Sequence, residues 1–235
     1  MDDVGPLLQR TDSSDQRQSY VAWCELGAHR QEIVPLVAEA YASAKQPLGR
    51  ESHIYYVTPF ARFDDHTVEL GVHALHDPRK EVRYRACGLL AHSRRTETVA
   101  ELQKLERGAS KEPARRAIKA LREGGAFGAD DDPYYFIYGH DPSRAPRGSF
   151  ADALFAEIGA WLGTHGFHPT YLFQHALELR DAHRVVRADW DSYEIEARIS
   201  VTRGSPESAE VIRGGPGDIA AMGKVIRALM VKAAT

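Results

Sequence analysis

The feature that most constrains this chain is a self-similarity at an offset of 31 residues that begins near residue 66. Val68 falls on Val99, Ala74 on Leu105, Lys80 on Lys111, Glu81 on Glu112, Arg85 on Arg116, Ala86 on Ala117 and Leu90 on Leu121. Tandem supersecondary units reuse the same buried positions, so this period predicts two copies of one helix–turn–helix unit. In the first copy Asp77-Pro78 marks the turn. Aspartate can satisfy the unpaired N–H groups of a helix start, and proline fits a first helical position that needs no donor. The helix that follows is expected to bury Val82, Ala86, Leu89 and Leu90. In the second copy Gly108 and Ser110 mark the turn, and Ala114, Ala117, Ile118 and Leu121 form the matching stripe. Glu81 with Arg85 and Glu112 with Arg116 are spaced as i,i+4 ion pairs, each worth roughly 0.2–0.5 kcal/mol to its helix.

The pattern Asp77-Pro78-x-x-Glu81-Val82-Arg83-x-x-Ala86-x-x-x-Leu90 resembles the second half of a HEAT or armadillo-type repeat. That resemblance covers about residues 64–123. It implies that Asp77 and Arg83 bridge neighbouring repeats and that the alanines permit close helix packing. The second copy departs from it, with Ala114 in place of the arginine and Gly108 in place of the aspartate.

Upstream, residues 16–27 and 30–44 have helical spacing. The first places Tyr20, Cys24 and Gly27 near one stripe; the second places Ile33, Leu36, Val37, Ala40 and Tyr41 on another, with Pro35 in the first turns. These two helices would then be a degenerate or capping unit. Between them and the repeats, Pro47, Gly49 and Pro59 break the pattern, and residues 45–60 read as a loop with one short extended piece at 54–57.

Three glycines and the run Asp130-Asp131-Asp132 make 122–135 a linker. The expected division is a helical domain over 1–125 and a second domain over 131–235. In the second, 134–138 reads as a strand and 149–166 as an amphipathic helix capped by Ser149 and stopped by Gly166. Residues 171–180 fit a strand or a helix. Residues 184–190 and 193–203 form an antiparallel hairpin around Asp191-Ser192, since apolar and polar residues alternate strictly from Tyr193 to Thr202. A last helix spans 216–234. The fold class is therefore α+β: a HEAT-like helical module followed by a compact α+β domain with an antiparallel sheet. With 43% hydrophobic residues in 235, either part can build a core.

No catalytic constellation emerges. His165-x-x-His168, completed by His175 or Asp181, is a weak zinc-ligand spacing without the glutamate of an HExxH helix. The three aspartates lack a calcium-loop pattern. Asp189 and Asp191 read as residues of a hairpin tip, and Gly214-Gly215-Pro216-Gly217 lacks the lysine of a phosphate loop. No cofactor is implied. Cys24 and Cys87 are too few for a disulfide framework, and neither a leader pattern nor a long apolar run occurs, so the chain reads as cytoplasmic and without a membrane segment.

Charge is the remaining lead. The net charge is only −3, yet residues 76–125 carry 13 Lys and Arg against 7 Asp and Glu. On a helical wheel Lys111, Arg115, Lys119 and Arg122 fall within about 80° of one another, opposite the apolar stripe. With Arg79 and Lys80 they are the candidate partner-binding residues. Arg83, Arg85, Arg94 and Arg95 extend the positive region. The reading these residues favour is a non-catalytic protein-binding module, an inhibitor or adaptor, whose partner is acidic. Two alternatives stand beside it. One is a nucleic-acid-binding protein of the kind represented by the alkylpurine DNA glycosylases built from HEAT-like repeats, none of whose cleft motifs is matched residue by residue here. The other is a metal-dependent hydrolase in the C-terminal domain. Oligomeric state is not legible.

Overall fold

The computed structural model describes residues 4–125, 127–128, 165–173, 176–191, 196–203, 210–214 and 228. The chain divides into two compact units, Met1–Glu123 and Gly124–Thr235. The first is helical and the second contains an antiparallel sheet, giving an α+β protein.

Among its described residues the first unit has eight α-helices: α1 (Val4–Thr11), α2 (Gln16–Leu26), α3 (Val34–Ser43), α4 (Pro47–Val57), α5 (Asp65–Ala74), α6 (Lys80–Ser93), α7 (Val99–Lys104) and α8 (Lys111–Glu123). They pack as successive pairs, α1 with α2, α3 with α4, α5 with α6 and α7 with α8. The second members also pack in a row, α2 on α4, α4 on α6 and α6 on α8. Side-chain links at both ends fix the direction of that row. Ser19 meets Ser52 and Trp23 stacks on Tyr56, so α2 and α4 run the same way. Arg50 near the start of α4 binds Asp77 just before α6, and Arg62 beyond the end of α4 donates to the His92 carbonyl in the last turn of α6. Likewise Arg83 in the first turn of α6 donates to Ser110 at the head of α8, while Arg94 past its end donates to the Ala120 carbonyl near the tail of α8. All four helices are parallel.

The apolar stripe expected for α6 is its core face, with Val82, Ala86, Leu89 and Leu90 fully buried. That of α8 buries Ala114, Ala117, Ile118 and Leu121. In α2 the expected stripe is on the wrong side. Ser19, Ala22, Trp23 and Leu26 are buried, while Tyr20 and Cys24 are exposed. Ser19 tolerates burial because its hydroxyl donates to the Thr11 carbonyl.

Residues 47–60 are not a loop. Pro47 sits at the first position of α4, where no N–H is required, and Pro59 lies in a following 3-10 turn, Thr58–Phe60. Gly49 is a close approach and not a break: a Cβ there would stand 2.8 Å from the Asp12 Cα. Asp12 uses that closeness, its carboxylate accepting the N–H groups of Lys45 and Gln46 at 2.8 Å each and so capping α4 from the end of α1. At the α5–α6 turn Asp77 does accept an N–H, from Arg79 at 2.8 Å, but the helix starts at Lys80, so Pro78 precedes the cap instead of opening the helix.

In the second unit β1 (His168–Phe173), β2 (Ala176–Arg180), β3 (Arg184–Asp191), β4 (Glu196–Arg203) and β5 (Glu210–Gly214) form one antiparallel sheet in chain order. Residues 171–180, which fit either state, are β1 and β2 with a bulge between Pro169 and Tyr171. Leu172, Leu177, Leu179 and Val186 are fully buried. Opposite them along β2, Glu178 is also buried and accepts from the Thr170 hydroxyl at 2.9 Å. The expected hairpin is β3–β4, except that Asp191 ends β3 in register with Glu196 instead of lying in the turn. The expected strand at 134–138, most of the helix at 149–166 and nearly all of that at 216–234 lie outside the described residues. Among the described residues no helix is long and apolar enough to cross a membrane.

Candidate binding surface

Because α2, α4, α6 and α8 lie side by side and parallel, their outward arcs make one continuous face. Burial of Val82, Ala86, Leu89 and Leu90 turns Glu81, Tyr84, Arg85, Gly88 and His92 outward on α6, all within an arc of about 100°. On α4 the outward residues include Glu51 and Tyr55, and on α2 Tyr20, Val21 and Cys24. Tyr20 is 60% exposed, Val21 40%, Tyr84 38% and Tyr55 37%. Among the described residues these are the exposed large apolar side chains, and all four stand on this row.

The side chains are linked across the helices. Buried Trp23 stacks on Tyr56 at 4.5 Å, and Tyr55 meets Tyr56 edge-on at 5.2 Å. The Arg85 guanidinium lies 5.0 Å over the Tyr55 ring and its Nε donates to Glu51 at 3.0 Å. Cys24 raises the pKa of the Tyr20 hydroxyl beside it. Burial, with Tyr55, Cys24 and Tyr20 close by, pushes the Tyr56 hydroxyl up to about 12. The result is a linked aromatic surface from α2 to α6 with the Arg85 cation embedded in it. Beside it, Pro47, Leu48, Glu51, Arg79, Glu81 and Val82 line a groove of about 180 Å³ between the first turns of α4 and α6.

The six basic residues singled out from the sequence are all exposed. Arg79 borders the groove, and Lys80 lies beside Glu81 at 3.9 Å. On α8, Arg115 is 3.5 Å from Glu106 and Lys119 4.0 Å from Glu123, while Lys111 and Arg122 have no carboxylate at ion-pair distance among the described residues. The stripe is thus adjacent to the aromatic surface, since α8 packs on α6. The rest of the positive region is occupied internally. Arg83 donates to Ser110 and to the Asp77 and Pro78 carbonyls, Arg94 to Ala120, and Arg95 to Asp65. Arg85 reaches Glu51 on α4 instead of Glu81 in its own helix, so the expected i,i+4 pair does not form there. The Glu112–Arg116 pair does, at 3.2 Å.

Sequence reasoning missed the tyrosines. Tyr84 and Tyr55 carried a recoverable signal, since Tyr84 lies opposite the Val82–Ala86 stripe; Tyr20 did not, because it mimics a core position.

The metal-ligand spacing fares differently. His165 and His168 are both exposed, and His175 lies outside the described residues. Asp181 is a turn residue whose carboxylate accepts the N–H groups of His183 and Arg184 and pairs with the Arg184 guanidinium at 2.7 Å. Burial alone would raise that carboxyl, but these hydrogen bonds and the arginine charge hold it below its ordinary value. Among the described residues no three or more His, Cys, Asp and Glu gather as a metal site would require. Asp189 is not at a hairpin tip: it stands inside β3 in register with Arg198, and Asp191 faces Glu196 at the strand end. Asp130–Asp132 and residues 215–217 lie outside the described residues. Comparison of the chain with family models, with curated proteins and with solved structures finds no match.

Proposed function

We propose that the chain is a non-catalytic protein-binding module, an adaptor or inhibitor, in which α1–α8 act as a HEAT-like helical repeat and the α2–α4–α6–α8 face holds the partner. The observation that carries this reading is the placement of Tyr20, Val21, Tyr55 and Tyr84 on one row of parallel helices, next to a basic stripe. Tyrosine and arginine dominate the energetic centres of protein interfaces because each offers a large, stiff contact surface with a polar end. Pairing of the helices, and the Asp77 and Arg83 links between successive pairs, favour the repeat reading. The same reading puts the chain in the cytoplasm, where the exposed, unpaired Cys24 would stay reduced.

Affinity capture with the full chain and with a Tyr55→Ser/Tyr84→Ser variant tests it. The expected result is a protein recovered in stoichiometric amount from cells that make this chain, lost with the variant at unchanged helical circular dichroism. Recovery of no stoichiometric protein, or equal recovery by both chains, overturns the reading.

A further inference from the structure

Resting on the reading that this face holds a protein, we infer that its occupant is one extended peptide segment that lies across the helices, with an apolar side chain in the α4–α6 groove and a run of aspartates and glutamates over α8. The face is segregated by chemistry. Its α4–α6 part offers Leu48 and Pro47 in the groove, above buried Val82, with Tyr55 and Tyr84 on the same two helices. Its α8 part offers five exposed cations, Lys111, Arg115, Arg116, Lys119 and Arg122, against Glu112 and Glu123. A complementary ligand is therefore apolar at one end and acidic at the other.

The spacing follows from the packing. Neighbouring helix axes stand about 8–10 Å apart, so the groove between α4 and α6 lies about 13 Å from the crest of α8. An extended chain covers that distance in about four residues at ~3.3 Å each. The apolar anchor and the acidic run are thus separated by about four positions.

The same observations weigh against a single-stranded nucleic acid. Such ligands need open aromatic faces interleaved with cations, one stack and one phosphate per nucleotide. Here the cations of α8 have no aromatic residue on their own helix, Arg85 is already bound to Glu51, and Glu51 and Glu81 stand beside the groove. The Tyr55 face is covered by Arg85, and the Tyr56 face by Trp23.

The test is selection of a random peptide display library, about twelve residues long to span the face, on the immobilised full chain. An Arg115→Glu/Lys119→Glu variant and a labelled oligothymidylate of similar reach serve as the other arms. Both substituted residues are exposed and only loosely paired, and circular dichroism confirms that the variant keeps its helices. The expected result is enrichment of peptides with an apolar residue about four positions from an acidic cluster. Their affinity should fall about tenfold or more in the variant and weaken as salt rises past about 0.1 M, where screening sets in within ~10 Å. Enriched peptides that are neutral or basic, or that bind both chains equally, overturn the acidic segment and leave the face as a protein-binding surface. No enrichment, with oligothymidylate binding that the charge reversal abolishes, overturns both readings. Binding of neither probe overturns the peptide segment, and the partner capture described above then decides the wider reading alone.

Discussion

Replacing Asp77 should do more damage than any other single polar change in the helical unit. Its side chain is 3% exposed and carries three bonds: Tyr41 Oη donates at 2.8 Å, Arg50 Nε at 2.7 Å and the Arg79 N–H at 2.8 Å. Those partners belong to α3, to α4 and to the start of α6, so one carboxylate holds two successive helix pairs together. Asp77→Ala leaves the Tyr41 hydroxyl and a guanidinium only 16% exposed without their acceptor. Removing one member of a buried ion pair costs about 3–5 kcal/mol, and Arg50 keeps its bond to the Ala44 carbonyl and some access to water, so about 3 kcal/mol is expected. Asp77→Asn retains one acceptor but no charge and should cost about 2 kcal/mol. Tyr41→Phe removes one donor, leaves the carboxylate satisfied by the other two, and should cost about 1 kcal/mol. Urea titration followed by helical circular dichroism reads these as midpoint shifts, about 1.5 M for Asp77→Ala if the slope is about 2 kcal/mol per molar. Acid supplies an independent check. Burial by itself would raise the Asp77 carboxyl, but the bonds from Arg50, the Arg79 N–H and Tyr41 and the arginine charge hold it below its ordinary value. Its contribution is therefore complete above about pH 4 and disappears as pH falls through the folded value, so the deficit of Asp77→Asn should shrink in acid. A loss below about 1 kcal/mol for Asp77→Ala, or a deficit that grows in acid, would refute the clasp.

Two further outcomes are expected. Gly71→Ala puts a Cβ 2.6 Å from Leu89 Cδ2 and 3.0 Å from Leu90 Cδ2, both fully buried, so despite its better helix propensity it should cost about 1–2 kcal/mol. A thermal midpoint lowered by a few degrees checks this, and a raised midpoint contradicts it. Burial pushes the His53 imidazole down to about 4, although Asp12 opposes this, and Nε2 donates to the Thr11 hydroxyl, itself committed to the Leu8 carbonyl. The unfolded chain takes up this proton near pH 6.5 and the folded one only near 4, so stability falls as pH drops through that window, by up to about 3 kcal/mol. His53→Gln should flatten that part of the profile; a wild-type urea midpoint that does not move between about pH 7 and pH 4.5 would contradict the burial argument.

What was legible in the sequence was what periodicity reports. The stripes of α6 and α8 are fixed by side chains that must leave water, and spacing alone exposes them; the pairing of β3 with β4 was legible from alternation. The errors arose where a residue's type and its contact diverge. In α2, Tyr20 and Cys24 count as apolar but face out, while Ser19 counts as polar yet is buried on a carbonyl contributed by α1. Over residues 47–60, two prolines and a glycine resemble breakers, although Pro47 opens α4 where no donor is needed, Pro59 lies in the 3-10 turn after it, and the glycine makes room for Asp12. Arg85 left its helical neighbour for Glu51, a choice that depends on a helix 34 positions back. The candidate surface was half legible: the α8 stripe follows from a wheel, but the aromatic half requires knowing which helices lie side by side.

The order of the sheet bears on how the chain reaches its fold. Each strand from β1 to β5 pairs with its neighbour in the chain, so every pairing in the described sheet joins segments close together in the sequence. Loop-closure entropy is then lost in small instalments, each followed at once by new backbone bonds. A chain of this kind has low contact order and folds fast for a β-structure. On a ribosome, β1 and β2 can pair before β5 has been synthesised, and each later strand finds an edge already waiting for it.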